Sequence, residues 1–199
     1  MHPNRAFHDL TDEAAIALAA EIAFAHIAAV IDGRPAVAHA PVVRSGERAF
    51  RFHLARGNRL TRHLDGAPVL LSLVGAHGYV TPNWYGSPGD QVPTWNYLAV
   101  EIDGKARLLP DEGLIEQLDG LADIHEPGLS SRPWTRAKMD PARFDAMRKA
   151  ITGFEVEVDA VRVTRKLSQN KPLSDRIRVM RGLEAAGNQE LAAAMQALP

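Results

Sequence analysis

The chain of 199 residues contains no cysteine, which removes disulfides, thiolate nucleophiles and Cys-ligated zinc or iron–sulfur centres from consideration. It also lacks an excess of either charge: 23 Lys plus Arg stand against 24 Asp plus Glu, a formal net charge of -1. No domain-wide field therefore draws it to nucleic acid or to an anionic membrane, and any DNA contact has to be local. No apolar run approaches membrane-spanning length, and the N-terminal MHPNRAFHDLTDE lacks the basic-then-apolar order of a signal peptide. The expectation is a cytoplasmic protein without membrane contact. Internal repeats, low-complexity tracts and linkers are missing too. The length suits one domain with a small helical appendage and is enough to bury a real core.

Aromatic residues make up only 6% of the chain, yet they crowd into Ala76 to Tyr97, AHGYVTPNWYGSPGDQVPTWNY. This stretch has no helical period and reads as a long loop stiffened by Pro. Such loops inside a domain are more often binding elements than plain connections. The rings of Trp84, Tyr85, Trp95 and Tyr97, with the amides of Asn83 and Asn96, suit a planar heteroaromatic ligand or a second subunit, or they plug one end of a barrel.

Around this stretch the chain alternates between strand and helix signals. Thr11 and Asp12 cap a helix carrying Ala15, Ile16, Leu18, Ala19 and Ile22 at helical spacing. FAHIAAVIDGRPAVAHAPVV follows as two apolar runs joined by Asp32-Gly33, a strong hairpin signal. After a turn at Ser45-Gly46, AFRFHLA alternates Phe50, Phe52 and Leu54 with Arg51, His53 and Ala55, as a half-buried strand requires. PVLLSLVGA is a near-continuous apolar strand feeding the aromatic stretch, and LAVEIDGKARLL predicts a strand pair around Asp103-Gly104.

Pro110-Asp111 opens a helix with Leu114, Ile115, Leu118, Leu121 and Ile124 on one stripe, and Asp140-Pro141 starts a second that runs through Phe144, Met147 and Ile151. GFEVEVDAVRVTRKL returns to strict alternation and runs into KLSQNK, where Lys166, Ser168, Gln169, Asn170 and Lys171 gather polar side chains at a strand end. A tail from Leu173 interleaves Ile177, Val179, Met180 and Leu183 with Arg176, Arg178 and Arg181, breaks at Gly187-Asn188 and ends in ELAAAMQAL. It predicts two amphipathic helices for packing on the barrel or a partner subunit. The sum is an α+β fold: an antiparallel barrel over residues 1–172 and a helical tail over 173–199.

Chemistry is expected where AFRFHLA ends. Arg56, Gly57, Asn58 and Arg59 form a tight basic turn, and Leu60 to Leu64 read as a short helix capped by Asn58. Guanidinium groups beside helix-start N–H groups make a phosphate cradle, because Arg can fork two bonds to a phosphate where Lys acts as a point charge. Hydrolysis finds no support, since there is no G-x-S-x-G elbow and Ser168 has no evident base. The histidines His26, His39, His53, His63, His77 and His125 are scattered without HxxxH or HExxH spacing, so no metal site is expected.

Taken in order, RFHLARGNRLTRHL, PVLLSLVG, AHGYVTPNWY, VPTWNY and KLSQNK resemble the PaiB-type FMN-binding negative transcriptional regulators, from about Met1 to Leu183. The resemblance implies an FMN-binding split β-barrel, related to pyridoxamine-phosphate-oxidase-like proteins, that forms a homodimer with flavin sites between subunits. It gives His53, Arg56, Asn58 and Arg59 a role at the FMN phosphate and ribityl chain, and His39 a place along the flavin ring. Trp84, Trp95, Asn96, Lys166, Ser168, Gln169 and Asn170 complete the expected cofactor-binding set. Two features depart from the superfamily: Arg59 or Arg62 stands where a phosphate-turn Lys is common, and the strand AVAHAPVV is poor in polar side chains. DNA binding is implied by the family alone, as no helix-turn-helix with a basic recognition face is present. An FMN-dependent oxidoreductase is the alternative reading, and a haem-binding split barrel a further one.

Overall fold

The computed structural model describes residues 2–87 and 89–198, so Pro88 of the aromatic stretch and the two terminal residues of the expected domains lie outside the described residues. In chain order the elements are α1 (Asp12–Ile22), β1 (Phe24–Ile31), β2 (Arg34–Pro41), β3 (Val43–Arg44), β4 (Ala49–Ala55), β5 (Pro68–Val80), β6 (Thr94–Leu108), α2 (Asp111–His125), α3 (Pro141–Arg148), β7 (Ile151–Lys166), α4 (Leu173–Ala185) and α5 (Gln189–Gln196). They divide into two compact units, each built from separate stretches. One comprises Met1–Ala15, Val74–Val100 and Arg162–Pro199, the other Ile16–Leu73 and Glu101–Val161.

The second unit carries the sheet registers, in the strand order β2-β1-β5-β6-β7-β4-β3. The β1–β2 hairpin pairs Phe24 with Pro41 through to Ile31 with Arg34. Its turn places Asp32 at φ 50 and Gly33 at φ 72, the two left-handed residues of a primed turn that matches strand twist. β4 runs antiparallel to β7, with Phe52 opposite Phe154, and these two rings stack at 5.4 Å. Phe50, Phe52, Leu54, Phe154 and Val156 are buried as alternation predicts.

The expected strand pair around Asp103-Gly104 is instead one unbroken strand, β6. A Cβ on Gly104 would collide with the backbone carbonyl of Glu157. Glycine here permits a close approach of two strands, and the same residue type that marks a turn elsewhere marks a contact here. Likewise Ile151 is not the end of a helix: α3 stops at Arg148, and Ile151 begins β7 opposite Ala55. The predicted helix Leu60 to Leu64 is a single 3-10 turn at Thr61–His63.

In the first unit the aromatic stretch is shorter as a loop than the sequence suggests. Ala76–Val80 belongs to β5 and Thr94–Tyr97 to β6, with Ala76, Gly78 and Val80 buried and His77 and Tyr79 exposed. The alternation is present but is hidden among rings and glycines. A 3-10 turn at Pro82–Trp84 follows, capped by Thr81 Oγ1, which accepts from Asn83 N at 3.3 Å. The core of this unit joins Ala76, Val80, Tyr85 and Leu167 to Val179, Leu183, Leu191 and Met195 of α4 and α5. The C-terminal helices therefore share one core with strand ends. Trp84 lies over Gly182 of α4, where a Cβ would enter the indole ring. Among the described residues no helix is long and apolar enough to cross a membrane.

Candidate functional site

In the second unit, Leu60 and Leu64 are fully buried. With those two positions and Thr61 pointing inward, Arg59 just before them and Arg62 and His63 between them are left toward solvent. The turn itself is fixed locally. Asn58 Oδ1 accepts from Leu60 N at 2.9 Å, and Thr61 Oγ1 donates to the carbonyl of Ala55 at 2.8 Å. Asn58 thus holds the turn, as its capping position predicts.

Arg59, Arg62 and His63 face Ile31, Asp32, Arg34, Pro35 and Ala36 of the β1–β2 hairpin across a cavity of about 440 Å³. The guanidinium groups of Arg34 and Arg59 have no hydrogen bond or ion pair among the described residues, and Arg62 Nε donates to His63 Nε2 at 3.0 Å. One carboxylate, Asp32, lines the same space, so the guanidinium groups still outnumber it. Free guanidinium groups converging from two elements form a donor set for an anion such as a phosphate.

The other residues expected in this cradle lie elsewhere. Arg56 Nε donates to the carbonyl of Lys149, which ties the turn to the start of β7. His53 Nδ1 bonds Gln117 Oε1 at 2.9 Å beneath α2. His39 is exposed on β2, edge-on to the cross-strand His26 at 4.9 Å, and a ring nitrogen of His26 bonds the carbonyl of Ser72. None of the three lines the arginine cavity. Arg34 was not singled out by the sequence. Its only signal there is a basic residue just after a hairpin turn, and its nearness to Arg59 is a tertiary fact.

The first unit gathers the remaining candidates. Trp95 is half exposed; its indole stacks on His77 at 5.9 Å and donates to His77 Nδ1 at 3.3 Å, with Tyr79 edge-on at 6.4 Å. Lys166 Nζ donates to the Trp95 carbonyl at 2.9 Å and to Thr94 Oγ1. Burial lowers the Lys166 pKa from its ordinary value, since desolvation disfavours the ammonium form.

Asn96 and Ser168 are buried and bonded to each other, whereas Trp84 packs on α4. Gln169 closes its own turn: its Oε1 accepts from Leu167 N at 2.8 Å and its Nε2 donates to the carbonyl of Arg165. Asn170 is exposed in that turn. The KLSQNK segment is thus largely engaged in holding itself and the VPTWNY strand, leaving the ring face of Trp95 and its neighbours open.

Two solved structures share this fold. The FAD and haem binding protein from Mycobacterium smegmatis aligns at a TM-score of 0.58 with 20% identity, over 84% of this chain and 77% of that one. The flavocytochrome Anf3 from Azotobacter vinelandii aligns at a TM-score of 0.62 with 17% identity, over 89% and 78%. The class is therefore the α+β split-barrel fold that the sequence predicts. The family model described as "Putative FMN-binding domain" matches residues 1–160, and the chain belongs to that family. The Protease synthase and sporulation protein PAI 2 of Bacillus subtilis (strain 168) is 30% identical over 172 residues, 84% of this chain and 82% of that protein, in keeping with the PaiB-type resemblance.

Proposed function

We propose that this protein binds FMN as a homodimer and acts as a negative transcriptional regulator. The observation that carries the cofactor reading is the cavity in which Arg34, Arg59, Arg62 and His63 meet. Its charge and hydrogen-bond donors fit the phosphate monoester of FMN. Arg34, Arg59 and Arg62 would hold that phosphate, while Asn58 keeps the turn in shape. When bound, the isoalloxazine ring supplies redox chemistry, and the protein's share is binding and orientation.

Exposed apolar side chains on the outward face of the β1–β2 hairpin, Phe24, Val30 and Val37, support self-association. Val30 is 72% exposed at the turn end of this face, and a second copy would cover what a lone chain leaves in water. The regulator role rests on the family resemblance, and Arg178 and Arg181, exposed on α4, are the side chains available for a local phosphate contact. An FMN-dependent oxidoreductase is the second reading, favoured by the open ring face of Trp95, which could stack on a planar substrate.

Titration of FMN against wild type and an Arg59→Ala/Arg62→Ala variant tests the cofactor reading. Charge-assisted bonds contribute roughly 1.5 to 3 kcal/mol each, so at least a tenfold loss of affinity is expected. Arg56→Ala should leave FMN affinity within about threefold, since its guanidinium serves the backbone of Lys149; an effect confined to Arg56 would overturn the assignment. Salt-resistant binding to one promoter sequence separates the regulator from the oxidoreductase, which would instead turn over a nicotinamide.

A further inference from the structure

A second cavity in the unit of Ile16–Leu73 and Glu101–Val161 shares no wall residue with the arginine cavity. It encloses about 560 Å³ between α2, α3 and the segment joining them, with Pro41, His53 and Ile151 forming the strand side. Leu118, Leu121, Met139, Phe144 and Met147 make the walls apolar, and Trp134 adds a further ring. This volume is that of a small-molecule site, and thioethers beside aromatic rings adapt to flat aromatic guests. The Trp134 segment is held in place by its backbone N–H, which donates to Glu126 Oε2 at 2.8 Å.

The polar groups in the walls select the ligand further. Gln117 is 1% exposed, and its Oε1 is the partner of His53 Nδ1 at 2.9 Å. An amide oxygen only accepts, so Nδ1 carries the hydrogen. Nε2 is the ring nitrogen left without a partner among the described residues, and it is the acceptor of that tautomer.

The one guanidinium in the wall, Arg148, is already countered by Asp111 at 2.7 Å and by Asp145 at 3.7 Å, and Glu126 adds another carboxylate. A ligand with its own negative charge would meet no unpaired guanidinium or ammonium there, and the remaining basic side chain of the wall, His125, sits at the exposed rim. We propose that this cavity binds an uncharged aromatic hydroxyl compound, a phenol or naphthol, whose O–H donates to His53 Nε2 while its rings lie among Leu118, Leu121, Phe144 and Met147. His53 then belongs to this ligand and not to a flavin phosphate, and the inference stands whether or not FMN binds the arginine cavity.

Isothermal titration of the full-length protein with 2-naphthol, naphthalene and 2-naphthoate tests the assignment. Saturable binding of one 2-naphthol per chain is expected, with naphthalene and 2-naphthoate each weaker by about tenfold, the order of one lost hydrogen bond to a buried group. Ala122→Phe and Met147→Phe, which fill the cavity from two different helices, should each abolish it; either one, folded, is sufficient. The Arg59→Ala/Arg62→Ala variant should bind 2-naphthol as wild type does, so a failure of the FMN reading leaves this result untouched. The proposal is overturned if 2-naphthoate binds as tightly as 2-naphthol, if the filled variants still bind, or if saturating FMN displaces the naphthol.

Discussion

The side-chain amide of Asn96 donates to the hydroxyl of Ser168 at 2.8 Å, with both residues buried. Together with the bonds from Lys166 to Thr94 and Trp95, this bond joins VPTWNY to KLSQNK, with its two residues 72 apart in sequence. Met195 Sδ of α5 lies 3.7 Å from the same nitrogen, and Asn96 Oδ1 is buried without a hydrogen-bond partner among the described residues. Ser168 reaches this position with φ at 61°, in the left-handed region.

Because Asn96 has no second oxygen partner nearby, Ser168→Ala should cost about 1–3 kcal/mol, the penalty for stranding a buried polar group. Ser168→Gly loses the same bond but relieves the left-handed backbone, and should be less harmful than Ala by about 1 kcal/mol. Urea unfolding of the two variants measures the difference; Ala as stable as Gly would mean that Ser168 is not strained.

Gly104→Ala is expected to destabilise by about 1–3 kcal/mol, because the new methyl meets the backbone of β7, which cannot rotate away. Gly57→Ala, with nothing within 4 Å of a Cβ, should change stability by less than about 0.5 kcal/mol. Thermal melts of both, side by side, separate a packing glycine from a turn glycine.

Arg165 grips Asp9 through two hydrogen bonds, at 2.8 and 2.6 Å. The bond to Arg165 holds the Asp9 carboxyl below its ordinary value of 3.8, against a smaller opposing effect of burial. A depressed folded pKa contributes stability that is present above 3.8 and is lost as pH falls through the lower folded value. Asp9→Asn should therefore lower stability at pH 7 and flatten the acid limb below pH 3.8. The effect will be small, because the carboxyl remains partly open to solvent. Denaturation midpoints across that range check the sign.

Trp95→Ala removes a half-exposed ring, so stability should fall by less than about 1 kcal/mol. If Trp95 meets the flavin or a partner chain, FMN affinity or the dimer dissociation constant should weaken by about tenfold or more, as for an aromatic anchor. Flavin fluorescence titration and sedimentation equilibrium read the two effects separately.

Phe52→Ala opens a void opposite Phe154 in the most buried part of β4 and should cost about 3–5 kcal/mol. Retained cooperative unfolding near the wild-type midpoint would contradict the burial of this pair.

Local chemistry made much of the molecule legible from sequence. Asp32-Gly33 can adopt two left-handed residues in succession at little cost, so the first hairpin is written in two letters. Alternation in AFRFHLA and FEVEV fixes which side chains turn inward, since successive strand residues face opposite sides. Asp140 caps α3 by accepting from Arg143 N at 2.9 Å, as its place before Pro141 predicts. The absence of cysteine excluded whole classes of site by inventory alone.

Long-range pairing decided the rest. Gly104 carries the same local signal as Gly33, and only the passage of Glu157 beside it makes one a strand contact and the other a turn. Arg56 and Arg59 look equivalent in a basic turn, yet one is spent on the carbonyl of Lys149 and the other faces Arg34 across a cavity. Sequence periodicity records the conformational preferences of near neighbours. It does not record tertiary packing, which brings side chains dozens of residues apart within reach of one another, and the packing of turns and helices against the strands is what chose the members of both cavities.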